Sequence, residues 1–332
     1  MLSFKYHNVA IFALLALFSK QVMCAEITIK FSHIATSDSP KGLAAAHFKE
    51  LAEKLTKGKV KIALYPDSEL FKDNEELEAL QLNSVQMLAP SFSKFSALGI
   101  RAFEVFDLPY LFRNADDLHR ITQGAIGRSL LGLLDSQGIV GLGFWDNGFK
   151  NMSANKPIHT PADMRNLRVR IQPSKVISTQ MTDLGATAFP MPVYESFKYL
   201  NNGLLDGTET PPSLFYSLNL MKSQKYLTLT NHGYLGYVVI ANKKFWDGLP
   251  SEIQVQLSIA MNETTKYANS IALQKNKTDL EIIRNSGYTT VIELTEDEKK
   301  LWQEALLPVR KQMEGRIGKE LITQITRQLP VQ

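Results

Sequence analysis

One stretch sets the pattern for the whole chain. Leu167, Val169 and Ile171 alternate with Arg168, Arg170 and Gln172, the period-two signature of a short strand with one face turned to a core. Pro173 follows at once, and Ser174 is suited to cap a helix behind it. The same alternation of strand and helix begins at Glu26. EITIKFSH alternates Ile27, Ile29 and Phe31, and Ser39 with Pro40 opens a helix striped by Leu43, His47, Phe48, Leu51 and Leu55, with Gly58 placed to end it. Val60, Ile62 and Leu64 predict the next strand, NEELEALQLNS a helix and VQMLAPSF another strand. FEVFDLPYLF, interrupted by Pro109, reads as a loop packed on the core, and one helix from about Asn114 to Asp135 leads into the strand IVGLGFW.

A second unit starts near Asn147. Thr160 and Pro161 open a short helix before the Arg170 strand, and KYLTLTNHGYLGYVVIANKKFW reads as an extended segment long enough to pass between two domains. After Pro250 a helical pattern runs through Ile253, Leu257, Met261, Ala268, Ile271, Leu280 and Ile283. About thirty residues at about 1.5 Å each give about 45 Å, which suits a helix bridging two lobes. The alternative is two helices broken near Asn276. TTVIEL predicts a last strand, and Thr295 to Met313 a terminal helix. This βαβα order predicts an α/β protein with mostly parallel sheets flanked by helices. Two lobes joined by crossing segments would form a hinge with a cleft.

Composition narrows the class. The chain of 332 residues is long enough for two domains, and its 44% apolar and 21% charged residues are ordinary for a globular protein. A formal charge of +4, with no long run of one sign, gives no reason to expect nucleic acid or a membrane surface as partner. Residues 1–25 read as a cleaved export signal: Lys5 and His7 start it, an apolar run from Val9 to Phe18 follows, and Val22 with Cys24, or Met23 with Ala25, stand where a signal peptidase reads. Cys24 is the one cysteine, and Gln21 and Met23 do not match the usual signal for its lipidation. A disulfide framework, a zinc–thiolate site and cysteine catalysis are therefore not expected.

Candidate chemistry is sparse. HExxH, Walker, GxSxG and EF-hand motifs are lacking, and the histidines show no ligand spacing, so no metal and no cofactor is expected. His47 lies on an inner helix stripe and reads as a packed residue. His33 ends a strand and faces the crevice. Glu195, Asp206 and Glu209 lie close in sequence, yet Asp206-Gly207 reads as a turn and Glu195 as helical, so acid–base catalysis is not the expected role. Arg170 stands at the carboxyl end of its strand, where open α/β sheets bind ligands. Its guanidinium suits a carboxylate held by two parallel hydrogen bonds. A solvated arginine or a structural ion pair fits the same strand.

Seven segments, in order, carry a resemblance. KFSHIATSDSPKG, FKELAEKLTKGKVKIALYPDSEL, EELEALQLNSVQMLAPSFSKF, FEVFDLPYLF, FWDNGFKNMSANKP, LRVRIQPSKV and NHGYLGYVVIANKKFWDGLP span nearly the whole chain after its leader. Together they resemble the substrate-binding subunit of tripartite ATP-independent periplasmic (TRAP) transporters, in the branch that binds four-carbon dicarboxylates. The resemblance implies a two-lobed periplasmic binding protein fold with a long bridging helix. Lobe I takes residues 26–147 and about 236–276, and lobe II residues 148–235 and about 277–332. It implies that Arg170 grips a substrate carboxylate, with Lys150 a second basic contact and Asn147, Trp145, Ser91, His33 and Lys41 in segments lining the cleft. Departures fall at the pocket. The family's DGQEN is DGTET here, so Thr208 replaces a glutamine and Thr210 the asparagine that shares the carboxylate with Arg170. Val193 stands in place of a phenylalanine that closes the pocket, Tyr194 in place of a serine and Phe197 in place of a tyrosine. These changes leave open a larger or aromatic acid instead of succinate, fumarate or malate. The expected protein is a monomeric, periplasmic, non-enzymatic carrier of an organic acid that delivers its ligand to a membrane permease. A sensor subunit serving a receptor, or a periplasmic enzyme on the same scaffold, are the other classes.

Overall fold

The structure is a computed structural model that describes residues 26–330. The expected leader over residues 1–25, with Cys24, lies outside them. In chain order the first elements are β1 (Ile27–Ser32), α1 (Pro40–Leu55), β2 (Val60–Tyr65), α2 (Glu76–Gln81) and β3 (Met87–Leu88). Next come α3 (Ala115–Thr122), α4 (Ala125–Gly132), β4 (Ile139–Ala154), β5 (Arg168–Ile171), α5 (Lys175–Asp183), β6 (Thr187–Pro190), α6 (Val193–Asn201), β7 (Gly207–Thr210) and α7 (Pro212–Ser217). The chain continues with β8 (Tyr226–Asn242), α8 (Lys243–Asp247), α9 (Ser251–Asn285), β9 (Thr290–Ile292), α10 (Glu296–Ile317) and α11 (Lys319–Gln328).

The strands join in the order β2-β1-β3-β8-β4-β7-β5-β6, with β9 added on β8. Pairs β1–β2, β1–β3, β5–β6, β5–β7 and β8–β9 are parallel, while β4 and β8 run antiparallel to each other and to β7 and β3 respectively. Strands β4 and β8 are long enough to serve both ends of the sheet. Near Val140 and Ile240 they meet the β1–β3 half, and near Met152 and Thr228 they meet β7 and β9. The strand expected to stop at Trp145 therefore runs on through Asn147 to Ala154. Its register shifts between Asp146 and Gly148 and again between Lys150 and Met152, and such bulges bend a strand and re-aim its side chains.

Apolar periodicity places the cores. Ile29, Phe31, Ala45, Phe48 and Ile62 pack with Trp145, Val239 and the inner face of α9. A larger cluster joins Phe103, Phe106 and Leu118 to Val169, Ile171, Val176 and the Trp302, Leu306 and Val309 stripe of α10. Helix α9 is unbroken over 35 residues, about 53 Å at about 1.5 Å per residue. Its Ile253, Leu257 and Met261 lie in one core and its Ile283 in another, with Val193, Leu200 and Phe215. Asn276 does not break it. The Asn276 amide donates to the carbonyls of Asn147 and Ala272 and accepts from the Ser213 amide at 3.0 Å, tying the helix to the β4 bulge and to α7.

Two other expectations change. The helix read from Asn114 to Asp135 is split into α3 and α4, because Gly124 is extended (φ −85°, ψ −168°) and caps α4, whose Gly127 backs so closely on Thr122 that a Cβ would lie 2.0 Å from its carbonyl oxygen. The segment FEVFDLPYLF does pack on the core, but Arg101–Asp107 winds into a 3₁₀ helix. Among the described residues no helix is long and apolar enough to cross a membrane.

Local signals at helix ends hold. Ser39 accepts from Gly42 at 3.1 Å and Ser174 from Ile177 at 3.3 Å. At α10, Thr295 accepts from the Glu298 amide at 3.2 Å while Glu298 accepts from the Thr295 amide at 2.7 Å, a reciprocal capping box. Thr295→Ala is expected to lower unfolding free energy by about 1 kcal/mol. An unchanged chemical-denaturation midpoint would show that this cap does not contribute.

Candidate functional site

Strand β5 turns Val169 and Ile171 into the core, at 1% and 0% exposure. Arg168, on the other face, is held by Asp206 through its Nε at 3.0 Å and Nη2 at 2.8 Å. Arg170 is different: it is 4% exposed, yet it lines a cavity. Its Nε and Nη2 donate to the Met191 carbonyl at 2.9 and 2.7 Å. That bond orients the fork and leaves three of the five N–H groups for other acceptors. Burial lowers the guanidinium pKa to about 10, with the charges of Glu209 and Asp73 opposing, so Arg170 remains a cation at neutral pH.

The cavity has a volume of about 50 Å³. It is lined by Arg170, Gln172, Val193, Tyr194, Glu209 and Leu214. It is also lined by Lys41 from the first turn of α1, Ser91 from the loop after β3, and Asp73, Lys94 and Tyr237. Lys41 is 2% exposed; its ammonium donates to the Ala89 carbonyl at 2.9 Å and sits 3.7 Å above the centre of the Tyr237 ring, a cation–π arrangement. Burial lowers the Lys41 pKa to about 8; Glu76 opposes that shift, Lys94 adds to it and Asp73 opposes it.

The acids on the cavity wall are already engaged. Asp73 pairs with Lys94 at 2.5 Å, and Lys94 also holds Glu76 at 2.5 Å. Glu209 pairs with Lys150 at 3.1 Å and faces His232 Nε2 at 3.3 Å. Burial acts to raise the Glu209 pKa, but Lys150 and His232 outweigh it and the net shift is downward.

Arg170, Lys41, Ser91, Val193 and Tyr194 are thus brought to one cavity together with Glu209, while Lys150, Thr210, Asn147, His33 and Trp145 do not line it. Lys150 lies beneath the wall, 2% exposed, with Glu209 and, at 3.9 Å, Asp107 beside it. Burial raises the Asp107 carboxyl to about 6 against the pull of Lys150. Thr210 is 1% exposed, and its hydroxyl has no partner among the described residues. Asn147 supports the wall from behind, donating to the Tyr237 hydroxyl at 2.7 Å and accepting from Ser213 at 3.3 Å. His33 is 2% exposed against Phe31, and burial, aided by the charge of Lys41, pushes its pKa down to about 3. Trp145 is a core residue at 1% exposure, 5.9 Å from Phe31. His47 stacks on Tyr267 at 4.2 Å, between α1 and α9.

Sequence reasoning missed Tyr237, Lys94 and Asp73, and read Glu209 as merely structural. Tyr237 sits in an apolar run that gives no hint which side chain faces a cavity. Asp73 and Lys94 look like surface charges flanking α2, and nothing local shows that they pair. Asp206-Gly207, read as a turn, instead feeds β7, where Gly207 pairs with Ala154 and Val169.

Comparison with known proteins identifies the family. The family model "Bacterial extracellular solute-binding protein, family 7" matches residues 31–316. The chain is 50% identical over 307 residues to the C4-dicarboxylate-binding periplasmic protein DctP of Rhodobacter capsulatus, covering 92% of each chain. It is 39% identical to the C4-dicarboxylate-binding protein DctB of Bacillus subtilis, covering 90% of this chain and 86% of that protein. Among solved structures, a TRAP periplasmic solute-binding protein of Shewanella oneidensis with bound succinate superimposes with a TM-score of 0.89 at 36% identity, covering 92% of this chain and 99% of that one. A TRAP periplasmic solute-binding protein of Pseudomonas aeruginosa with bound L-malate gives a TM-score of 0.84 at 39% identity, covering 86% and 99%.

Proposed function

The chain belongs to family 7 of the bacterial extracellular solute-binding proteins and is a TRAP-type solute-binding protein; from that premise we propose that it captures a four-carbon dicarboxylate between Arg170 and Lys41. The observation that carries this reading is the pair of buried cations, Arg170 and Lys41, that line one small cavity. A short diacid offers one carboxylate to each. Arg170 takes the first with its remaining N–H groups, and Lys41 with Ser91 takes the second. Charge-assisted bonds of this kind contribute about 1.5–3 kcal/mol each. Val193 shapes the Arg170 wall, Asn147 steadies Tyr237 under Lys41, and Thr210 supports β7 beside Arg170.

The cavity of about 50 Å³ favours a small acid over a sugar acid or an aromatic one. A void needs roughly 10–15 Å³ of such space per water, so the cavity suits a handful of atoms. Tyr194 and Leu214 fill the wall beside Val193, which offsets the space gained by losing a phenylalanine.

In this reading lobe I is 26–147 with about 236–276, lobe II is 148–235 with about 277–332, and the lobes close by a hinge motion in which the β4 bulge and Asn276 are the fulcrum. A leader over residues 1–25 exports the chain to the periplasm, where it acts as a monomeric carrier, not an enzyme, and the closed form is presented to a membrane permease.

Calorimetric titration tests this. Succinate, fumarate or malate is expected to bind at pH 7, with glucuronate and benzoate much weaker. The affinity is expected to fall as pH rises beyond about 8, because the neutral Lys41 amine attracts a carboxylate less; ligand charge moves that fall upward. Lys41→Met is expected to bind more weakly and to lose this pH dependence. No binding of any four-carbon diacid at pH 7 would overturn the assignment.

A further inference from the structure

Glu209 and Arg170 line the same cavity, shielded from bulk water. A buried carboxylate beside a buried guanidinium is expected to pair with it in two parallel bonds. That pair would occupy the donors a ligand needs. Yet among the described residues no carboxylate pairs with Arg170, and its Nε and Nη2 go to the Met191 carbonyl instead. Glu209 has other partners. Glu209 Oε1 accepts from Lys150 at 3.1 Å, and Oε2 faces His232 Nε2 at 3.3 Å. His232 is held in turn, its Nδ1 lying 2.8 Å from the Thr230 hydroxyl. In the tautomer that accepts from Thr230, Nε2 carries the proton and donates to Glu209. Lys150 faces Gly233 of β8 next to the β4 register shift between Lys150 and Met152. The other acid lining the cavity, Asp73, also has a cation beside it, Lys94 at 2.5 Å.

We propose that Lys150 and His232 are positioning residues that hold Glu209 by its two oxygens, keep it off Arg170, and so leave the guanidinium to the ligand carboxylate. Lys150 then serves binding without touching the ligand. This rests on the reading of Arg170 as the ligand anchor.

A double-mutant cycle tests it, read by succinate titration and by crystal structures of the unliganded variants. In Lys150→Met, succinate affinity is expected to fall at least tenfold, and Glu209 is expected to turn onto Arg170 in a bidentate pair. In the double variant K150M/E209Q the neutral amide leaves Arg170 unpaired, and affinity is expected to return to within about threefold of the unaltered protein. A double variant as weak as K150M would mean that Lys150 contacts the ligand, and would overturn the proposal. So would a K150M structure in which Glu209 keeps its place on His232. Should K150M fail to fold, Glu209→Gln decides: it is expected to bind succinate at least as tightly as the unaltered protein. A tenfold loss there would mean that Glu209 serves the ligand directly, and would overturn the proposal. The structural arm reads Glu209 without any ligand, so absence of succinate binding in the unaltered protein would count against the Arg170 assignment alone.

Discussion

Arg170→Ala is expected to lose nearly all carboxylate binding. The two charge-assisted bonds that it removes contribute about 1.5–3 kcal/mol each, which is roughly two to four orders of magnitude in dissociation constant. The measurement is calorimetric titration of the purified variant with succinate and malate. Some stability goes with it, because the Met191 carbonyl loses the donors now at 2.9 and 2.7 Å. An unfolding curve taken alongside separates the two effects: the variant should melt cooperatively and still fail to bind. Arg170→Lys is expected to fall between, since an ammonium keeps the charge but lacks the planar fork. Unchanged affinity in Arg170→Ala would remove this residue as the anchor and send the search to Lys41.

Trp145→Ala is expected to have the largest effect on stability. The side chain is 1% exposed and packs against Phe31, with ring centres 5.9 Å apart. Emptying such a site costs about 3–5 kcal/mol, from lost burial and from the cavity left behind. Trp145→Phe is expected to cost less than half as much, because the indole N–H has no hydrogen-bond partner among the described residues and its loss strands nothing. Denaturant titration of both variants checks the order. If Trp145→Ala left stability unchanged and weakened succinate binding tenfold, the side chain would belong to the cleft after all. The same logic applies more gently to His33, which is buried against Phe31 in the same core region.

These two side chains show how local pattern and tertiary packing divide the work. Leu167, Val169 and Ile171 announce a strand because alternation is written into consecutive residues, and the strand is there with those side chains in the core. Ser39, Ser174 and Thr295 announce helix starts because a capping side chain bonds to an amide only two or three residues away. The long helix after Pro250 was legible for the same reason, though Asn276 left its continuity open. In the unbroken helix the Asn276 side chain bonds to Ser213 and Asn147, which lie 63 and 129 residues away in sequence.

The site was legible only in part. Arg170 stood out because it ends a strand on the side where ligands gather, and Lys41 and Ser91 came with the family resemblance. Whether a basic side chain faces a cavity or a carboxylate is set by partners that local sequence does not reveal. Lys150 looks as available as Lys41 until Glu209 is found at 3.1 Å, 59 residues away. Trp145 and His33 sit in segments close to the cleft, but Trp145 packs in the core with Phe31, and His33, just past the end of β1, is buried against the same ring. Sequence by itself determined the main strands, the helix caps and the helical course after Pro250, and singled out Arg170 as a candidate, because each is a matter of neighbouring residues. Tertiary structure alone decided that β4 and β8 join both halves in one sheet, and that Lys94 and Lys150 are consumed by Asp73 and Glu209. Those outcomes depend on charges and backbones far apart in the chain, and a buried charge is costly unless the fold sets a partner beside it.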